Sequence, residues 1–327
     1  MNKKSKILFT AAFSTSFIRE DFSFLRSRYS VKEIISSGPL TFIKFLFALP
    51  SSDVTFSWFA SVYSSVLVFL AKLFGKESII VLGGVDVANM PELDYGIWNS
   101  RWKSKIVRYG IMNADIVLAV DDSLRQDAIR LARYDGKNIH IVPTGYDSGR
   151  WEPGRTKEKI ILTVAQCDSL TRVRIKGIDF LFDIASAMPK QSFVLVGMKN
   201  EITKQFAIPS NIVVIEFVPQ TELLAYYQKA SVYLQPSLRE GLPNTVCEAM
   251  LCECYPIGTN VGGIPTAIGE SGSIIDYGNV QDAVKAVMTG LAQNNNSSAR
   301  ERIATLFTKH KREQQLTSHI DSLINAK

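Results

Sequence analysis

Short apolar runs alternate with longer stretches of helical period along the whole of this 327-residue chain. Strand-length runs fall at 6–13, 31–35, 53–58, 78–82, 115–120 and 138–143. They resume at 159–164 and recur near 192–197, 212–217, 232–236, 255–258 and 273–276. Helical patterns fill the gaps, in the first half at 21–29, 39–48, 60–74, 97–112 and 123–134. Strands alternating with helices call for parallel pairing through crossover helices, so the fold class is α/β with two doubly wound, Rossmann-like halves. The length suits two domains. Their expected limits are 1–150 and 151–309, with 148–158 (two Gly, a Pro and mixed charges) as the linker. Asn294-Asn295-Asn296 then separates two final helical stretches, the last at 310–326 within a terminal segment 310–327.

Composition narrows the class. With 46% hydrophobic and 21% charged residues the chain belongs with folded proteins rather than disordered ones. The net charge of +6 sits almost wholly in residues 1–150, which hold 19 basic and 14 acidic side chains. A basic half can face anionic lipid or an acidic acceptor. Nucleic acid is not expected, because the basic residues are scattered and no nucleic-acid motif is present. The start, Lys3-Lys4-Ser5-Lys6 followed by Ile7 to Phe13, mimics a secretory leader, but charged Arg19-Glu20-Asp21 follows without a convincing cleavage site. A buried first strand is expected there instead. Cys167, Cys247, Cys252 and Cys254 lack a paired framework and lack nearby histidines, which fits reduced cysteines in a cytoplasmic protein. Val54 to Ala71 carries no charge over 18 residues, at the lower limit for crossing a bilayer. Its four serines and the need for a strand at 53–58 favour a buried strand and helix. The apolar stretch Leu40 to Leu49, interrupted by Lys44, together with Lys72 and Lys76, leaves open a resting contact of this half on the inner face of a membrane.

The segment with most chemistry runs Ser237-Leu238-Arg239-Glu240-Gly241-Leu242-Pro243-Asn244-Thr245-Val246-Cys247-Glu248. On one helix, positions eight apart stand about 80° from one another, so Glu240 and Glu248 would not share a face. Glu240 is therefore expected in a loop and Pro243 at an early helical position, where its missing N–H is harmless. Glu248 falls inside the helix, about a turn from the backbone amides at its start. Those amides and the helix dipole suit a diphosphate, and a carboxylate beside them can accept from both hydroxyls of a ribose.

Pro236 to Met250, followed by Gly262-Gly263-Ile264-Pro265, resembles the donor-site signature of retaining glycosyltransferases of family 4, which have the GT-B fold. The resemblance implies two domains facing a central cleft, with the segment 310–327 crossing back onto the first. It implies that Glu240 approaches the transferred sugar, that Glu248 binds the nucleotide ribose, and that the run Gly241, Leu242, Pro243, Asn244, Thr245 to Val246 holds phosphate. The family's basic pair maps onto Lys176 of Lys176-Gly177 and onto Arg174 or Arg172, with Arg174 preferred. An ordinary solvated basic loop is the plain alternative for the arginines.

The first half departs from that family. Phe13-Ser14-Thr15-Ser16 stands where many members carry a Gly-rich loop, leaving Ser14 and its neighbours as hydroxyl and amide donors. The strand at 78–82 ends in Gly83-Gly84-Val85-Asp86 without the usual His. Asp86 is thus the candidate for orienting the acceptor, with Gly83 and Gly84 permitting close approach; a turn and a helix cap would explain the same residues. Asp121-Asp122 is the one tempting acidic pair for a metal, and helix capping accounts for it better.

The expected activity is metal-independent, cofactor-free transfer of a sugar, with retention, from a nucleotide diphosphate sugar to the hydroxyl of a glycan, lipid-linked or small-molecule acceptor. A sugar-nucleotide epimerase of the same fold is an alternative that the position of His140, His310 and His319 outside any motif disfavours. A non-catalytic sugar-nucleotide-binding subunit is another.

Overall fold

The computed structural model describes residues 4–293 and 296–325. Met1 to Lys3 of the leader-like start, Asn294 and Asn295 of the polar run, and Ala326 and Lys327 lie outside the described residues. The chain divides into two compact units, one of 1–144 with 310–327 and one of 145–309.

The first unit holds β1 (Lys6–Ala11), α1 (Ser16–Arg28), β2 (Ser30–Ile35), α2 (Leu40–Ala48), β3 (Val54–Trp58), α3 (Val62–Leu73), β4 (Glu77–Leu82), α4 (Arg101–Asn113), β5 (Ile116–Ala119), α5 (Asp122–Ala132) and β6 (Ile139–Ile141). Its strands form one parallel sheet in the order β2-β1-β3-β4-β5-β6. Every residue of β3 is buried, as expected of a strand covered on both faces. The leader-like start is likewise an inner strand, β1, with Ile7 opposite both Val31 and Val54. The uncharged span 54–71 is β3 followed by α3, whose first turn is closed by a reciprocal Ser61–Ser64 capping box. α1 begins earlier than its charge pattern suggests, because Ile18, Asp21 and Leu25 form its buried stripe.

The second unit holds β7 (Glu158–Cys167), α6 (Leu170–Ile175), α7 (Ile178–Ala187), β8 (Ser192–Met198), α8 (Asn200–Thr203), β9 (Ile212–Ile215), α9 (Gln220–Lys229), β10 (Ala230–Gln235), α10 (Asn244–Leu251), β11 (Tyr255–Thr259), α11 (Ile264–Ile268), β12 (Ser273–Ile275), α12 (Val280–Ala292) and α13 (Ser297–Leu306). Its parallel sheet has the order β12-β11-β10-β7-β8-β9. Residues 148–158 differ from the linker expected from their composition. Trp151 is buried edge-on against Tyr227, and Arg300 donates to the carbonyls of Ser148 and Trp151, so this segment is pinned to the second unit.

The last helix, α14 (Lys309–Asn325), packs in the first unit. Its Arg312, 6% exposed, donates from Nε and Nη2 to the two carboxylate oxygens of Asp21 on α1 at 2.7 and 2.6 Å. Nη1 donates to the carbonyls of Val142 and Pro143, and the guanidinium lies 5.4 Å from the Trp58 ring centre. A buried ion pair needs such further partners to offset its desolvation.

Candidate functional site

β10 is buried throughout and ends on Gln235, after which the chain leaves the sheet as a loop carrying Glu240 and enters α10 at Asn244. Pro243 is not the early helical residue expected from sequence. With φ −76° and ψ 110° it is the extended residue just before the helix. Glu248 nevertheless lies inside α10, one turn from a start at which Asn244 and Thr245 are part-exposed. The first N–H groups of any helix lack an intrahelical acceptor, so this start is a natural anion cradle.

The Lys176 turn docks on the Glu240 loop. Leu238 N donates to the carbonyl of Ile175 at 2.8 Å. Gly177 has φ +64°, and a Cβ there would stand 1.9 Å from the carbonyl oxygen of Pro236, so no other residue permits this approach. On the loop's far side Gly262, at φ +54°, would press a Cβ to 2.1 Å from the carbonyl oxygen of Glu240, while Gly263 N donates to the carbonyl of Gly241 at 2.8 Å. Between these supports, Lys176 Nζ donates to Glu240 Oε1 at 2.7 Å. Two residues singled out from separate segments are thus in direct contact.

The arginines diverge. In place of a plain basic loop the stretch after β7 contains the short helix α6, on which Arg172 is half-buried and the preferred Arg174 is exposed. Arg172, with Lys176, is close enough to Cys167 to oppose the effect of burial, which still pushes that thiol up to about 12.

Sequence reasoning missed the groups that hold the two glutamates. Gln235 is buried at the end of β10, and its Nε2 donates to Ser237 Oγ at 2.7 Å and to Glu240 Oε1 at 2.8 Å. Its Oε1 accepts from Tyr233 and Thr245 hydroxyls at 2.9 and 3.2 Å. Ser237 Oγ also donates to Glu240 Oε1, at 2.7 Å. Glu248, 5% exposed, accepts from Gln220 Nε2 at 2.9 Å and from the Tyr227 hydroxyl at 3.1 Å. Burial, with Glu248 alongside, drives the Tyr227 phenol well above its ordinary range, so it stays a hydrogen-bond donor. Tyr146 OH donates to Asn244 Oδ1 at 2.7 Å and fixes the head of α10. Gln235, closing its strand just before Pro236-Ser237, was the one visible sign of this network.

The candidates in the first unit behave differently. Ser14 is exposed beside Phe13, whose ring stacks on Phe59 at 5.1 Å. Asp86 is 1% exposed and its carboxylate accepts from the backbone N–H groups of Ala60, Gly83 and Gly84. Burial raises its pKa, and those three donors partly counter the rise. The carboxylate thus ties the turn after β4 to the turn after β3, in keeping with the turn-and-cap alternative for Asp86. Gly83 is required because a Cβ would stand 2.2 Å from the Phe59 ring, and Phe59 itself sits at φ +67°, a strained conformation for an aromatic residue. Gly84, at φ +132°, opens the same turn.

Asp121 caps α5, accepting from Ser123 N at 2.9 Å. Among the described residues no three His, Cys, Asp or Glu side chains converge as a metal site.

Residues 158–293, which contain these donor-side groups apart from Tyr146, match the family described as glycosyl transferases group 1. The matched stretch lies wholly within the second unit. Curated relatives of the chain include the teichuronic acid biosynthesis glycosyltransferase TuaC of Bacillus subtilis, 28% identical over 59% of this chain and 49% of that protein. The alpha-maltose-1-phosphate synthase of Mycolicibacterium smegmatis is 27% identical over 57% of this chain and 54% of that protein. The chain spans about half the length of the curated relatives it matches. Among solved structures, Anabaena HepE in complex with UDP superposes with a TM-score of 0.77 at 14% identity, over 97% of this chain and 100% of that one. Sucrose-phosphate synthase from Thermosynechococcus elongatus gives 0.79 at 15% identity, over 99% and 100%. The chain therefore has the GT-B fold.

Proposed function

We propose that this chain is a retaining glycosyltransferase that moves a sugar from a nucleoside diphosphate sugar to a hydroxyl of a glycan, lipid-linked or small-molecule acceptor. The observation that carries the proposal is the 2.7 Å contact of Lys176 Nζ with Glu240 Oε1, beside the start of α10 within the stretch that matches group 1 glycosyl transferases. Complexes of HepE with UDP and with UDP-glucose support a nucleotide sugar as the donor.

In this proposal the amides at the start of α10 and the Lys176 ammonium hold the diphosphate, and Glu248 accepts from the ribose hydroxyls while Gln220 and Tyr227 fix its orientation. Glu240, restrained by Lys176, Gln235 and Ser237, steadies the sugar. The bond from the anomeric carbon to the diphosphate breaks as the acceptor oxygen bonds to the same face, and the acceptor proton passes to the leaving diphosphate. Lys176, with Arg172 or Arg174, balances the charge that grows on that leaving group, so no metal or cofactor is needed. The four unpaired, buried cysteines support a cytoplasmic location.

One observation favours a second reading, a sugar-nucleotide-binding subunit without turnover: Asp86, the ionisable candidate of the first unit, is consumed by backbone donors. Slow donor hydrolysis across a panel of nucleotide sugars, in excess chelator, tests the proposal. Hydrolysis of one donor that persists in chelator is expected. Binding without hydrolysis would favour the subunit, and loss of activity on chelation would overturn the metal-free step.

A further inference from the structure

The outer surface of α2, α3 and α4 has a composition that a water-facing helix layer should not have. α2 buries Thr41, Phe45 and Ala48 and turns Leu40, Ile43 and Phe47 outward at spacings of three and four, with Phe47 78% exposed. On α3 the exposed pair is Phe69 and Leu73, one turn apart, with Leu73 67% exposed. Trp102, Tyr109 and Met112 project from α4. A helix facing water normally puts polar residues on that side.

These side chains share one surface. Phe42 of α2 stacks on Tyr63 of α3 at 5.4 Å. Phe69 of α3 meets Tyr109 of α4 at 6.2 Å, and Lys72 Nζ reaches Asn113 Oδ1 at 3.3 Å. The charge is of one sign. The three helices contain Lys44, Lys72, Arg101, Lys103, Lys105 and Arg108, all exposed, and not one Asp or Glu.

We propose that this face docks the protein on an anionic phospholipid surface. Charge complementarity selects that occupant. A second copy bound through the same face would set its cations against cations. A nucleic acid would meet the cations but leave the projecting aliphatic tips without a partner. An anionic bilayer satisfies both: lysine and arginine heads reach the headgroups while Phe47, Leu73 and their neighbours enter the acyl boundary. The contact is peripheral, since among the described residues no helix is long and apolar enough to cross a membrane.

Flotation of the full chain with vesicles tests this, comparing pure phosphatidylcholine with phosphatidylcholine containing phosphatidylglycerol. The protein should float only with the anionic vesicles, and less as salt rises. Phe47→Ser with Leu73→Ser should lower the partition coefficient about tenfold or more. Lys44→Ala and Lys105→Ala should each lower it about fivefold. All four side chains are exposed, so thermal melting should confirm that the variants stay folded. Failure to float, flotation unchanged in all three variants, or a dimer in sedimentation that Phe47→Ser dissociates would overturn the assignment. None of these readouts depends on sugar transfer.

Discussion

Lys176 and Glu240, 64 positions apart in sequence, meet at 2.7 Å because Gly177 lets one turn lie against the carbonyl of Pro236 and Gly262 lets another lie against the carbonyl of Glu240. The lysine therefore has a fixed position, and a fixed cation is worth far more to a leaving diphosphate than a mobile one.

Lys176→Ala should lower donor turnover by about 10²- to 10³-fold, the usual loss for one preorganised charge-stabilising group. Folding should be touched much less, because Gln235 and Ser237 still donate to Glu240 Oε1. Steady-state hydrolysis read beside a thermal melt separates the two effects. Unchanged turnover would remove Lys176 from the site.

Glu248→Gln should weaken nucleotide binding by about 10- to 100-fold, since hydrogen bonds to an ionised group are worth about 1.5–3 kcal/mol each. Gln220→Ala, which removes only one of the groups holding Glu248, should weaken it by less. Calorimetric titration of both variants would reveal the order; a larger loss in Gln220→Ala would contradict it.

Arg312→Met should destabilise the protein by about 3–5 kcal/mol, because it strands the buried Asp21 carboxylate with Trp58 Nε1 as its remaining donor from this network. Asp21→Asn with Arg312→Met should recover part of that loss. Urea unfolding of both variants measures the difference.

His319 on α14 packs on His140 of β6 with ring centres 4.6 Å apart. Burial first, and the His140 charge second, lower the His319 pKa below 6.5. A base with a lowered folded pKa contributes stability that is present above its unfolded value and lost as pH falls through the folded value. The protection of α14 amides, observed exchange relative to the intrinsic rate at each pH, should therefore fall as pH drops below about 6.5, the ordinary imidazole value, and His319→Gln should flatten that dependence. An equally steep profile in the variant would assign the effect elsewhere.

The strands were legible because fully buried parallel strands read as nearly unbroken apolar runs, of which β4 and β5 are clear cases. The start of α1 was not, since its buried stripe includes a charged residue, Asp21, whose partner lies on α14. Glu240, Glu248 and Lys176 were legible from an ordered local pattern. Gln220 and Tyr227 were not, because they reach Glu248 from 28 and 21 positions away; Gln235 stands five positions before Glu240 but outside the pattern that begins at Pro236. Asp86 shows the same limit from the other side. Whether a carboxylate after a strand faces a ligand or backbone amides depends here on Ala60, 26 positions away, and on the φ +67° turn at Phe59.

The most direct measurement is calorimetric titration of the full chain with UDP, GDP and ADP, repeated for Lys176→Ala and Glu248→Gln. One nucleoside diphosphate should bind, and each substitution should weaken it at least about tenfold. If none of the three binds, or if both variants bind as tightly as the unaltered protein, the second unit does not hold a nucleotide through Lys176, α10 and Glu248.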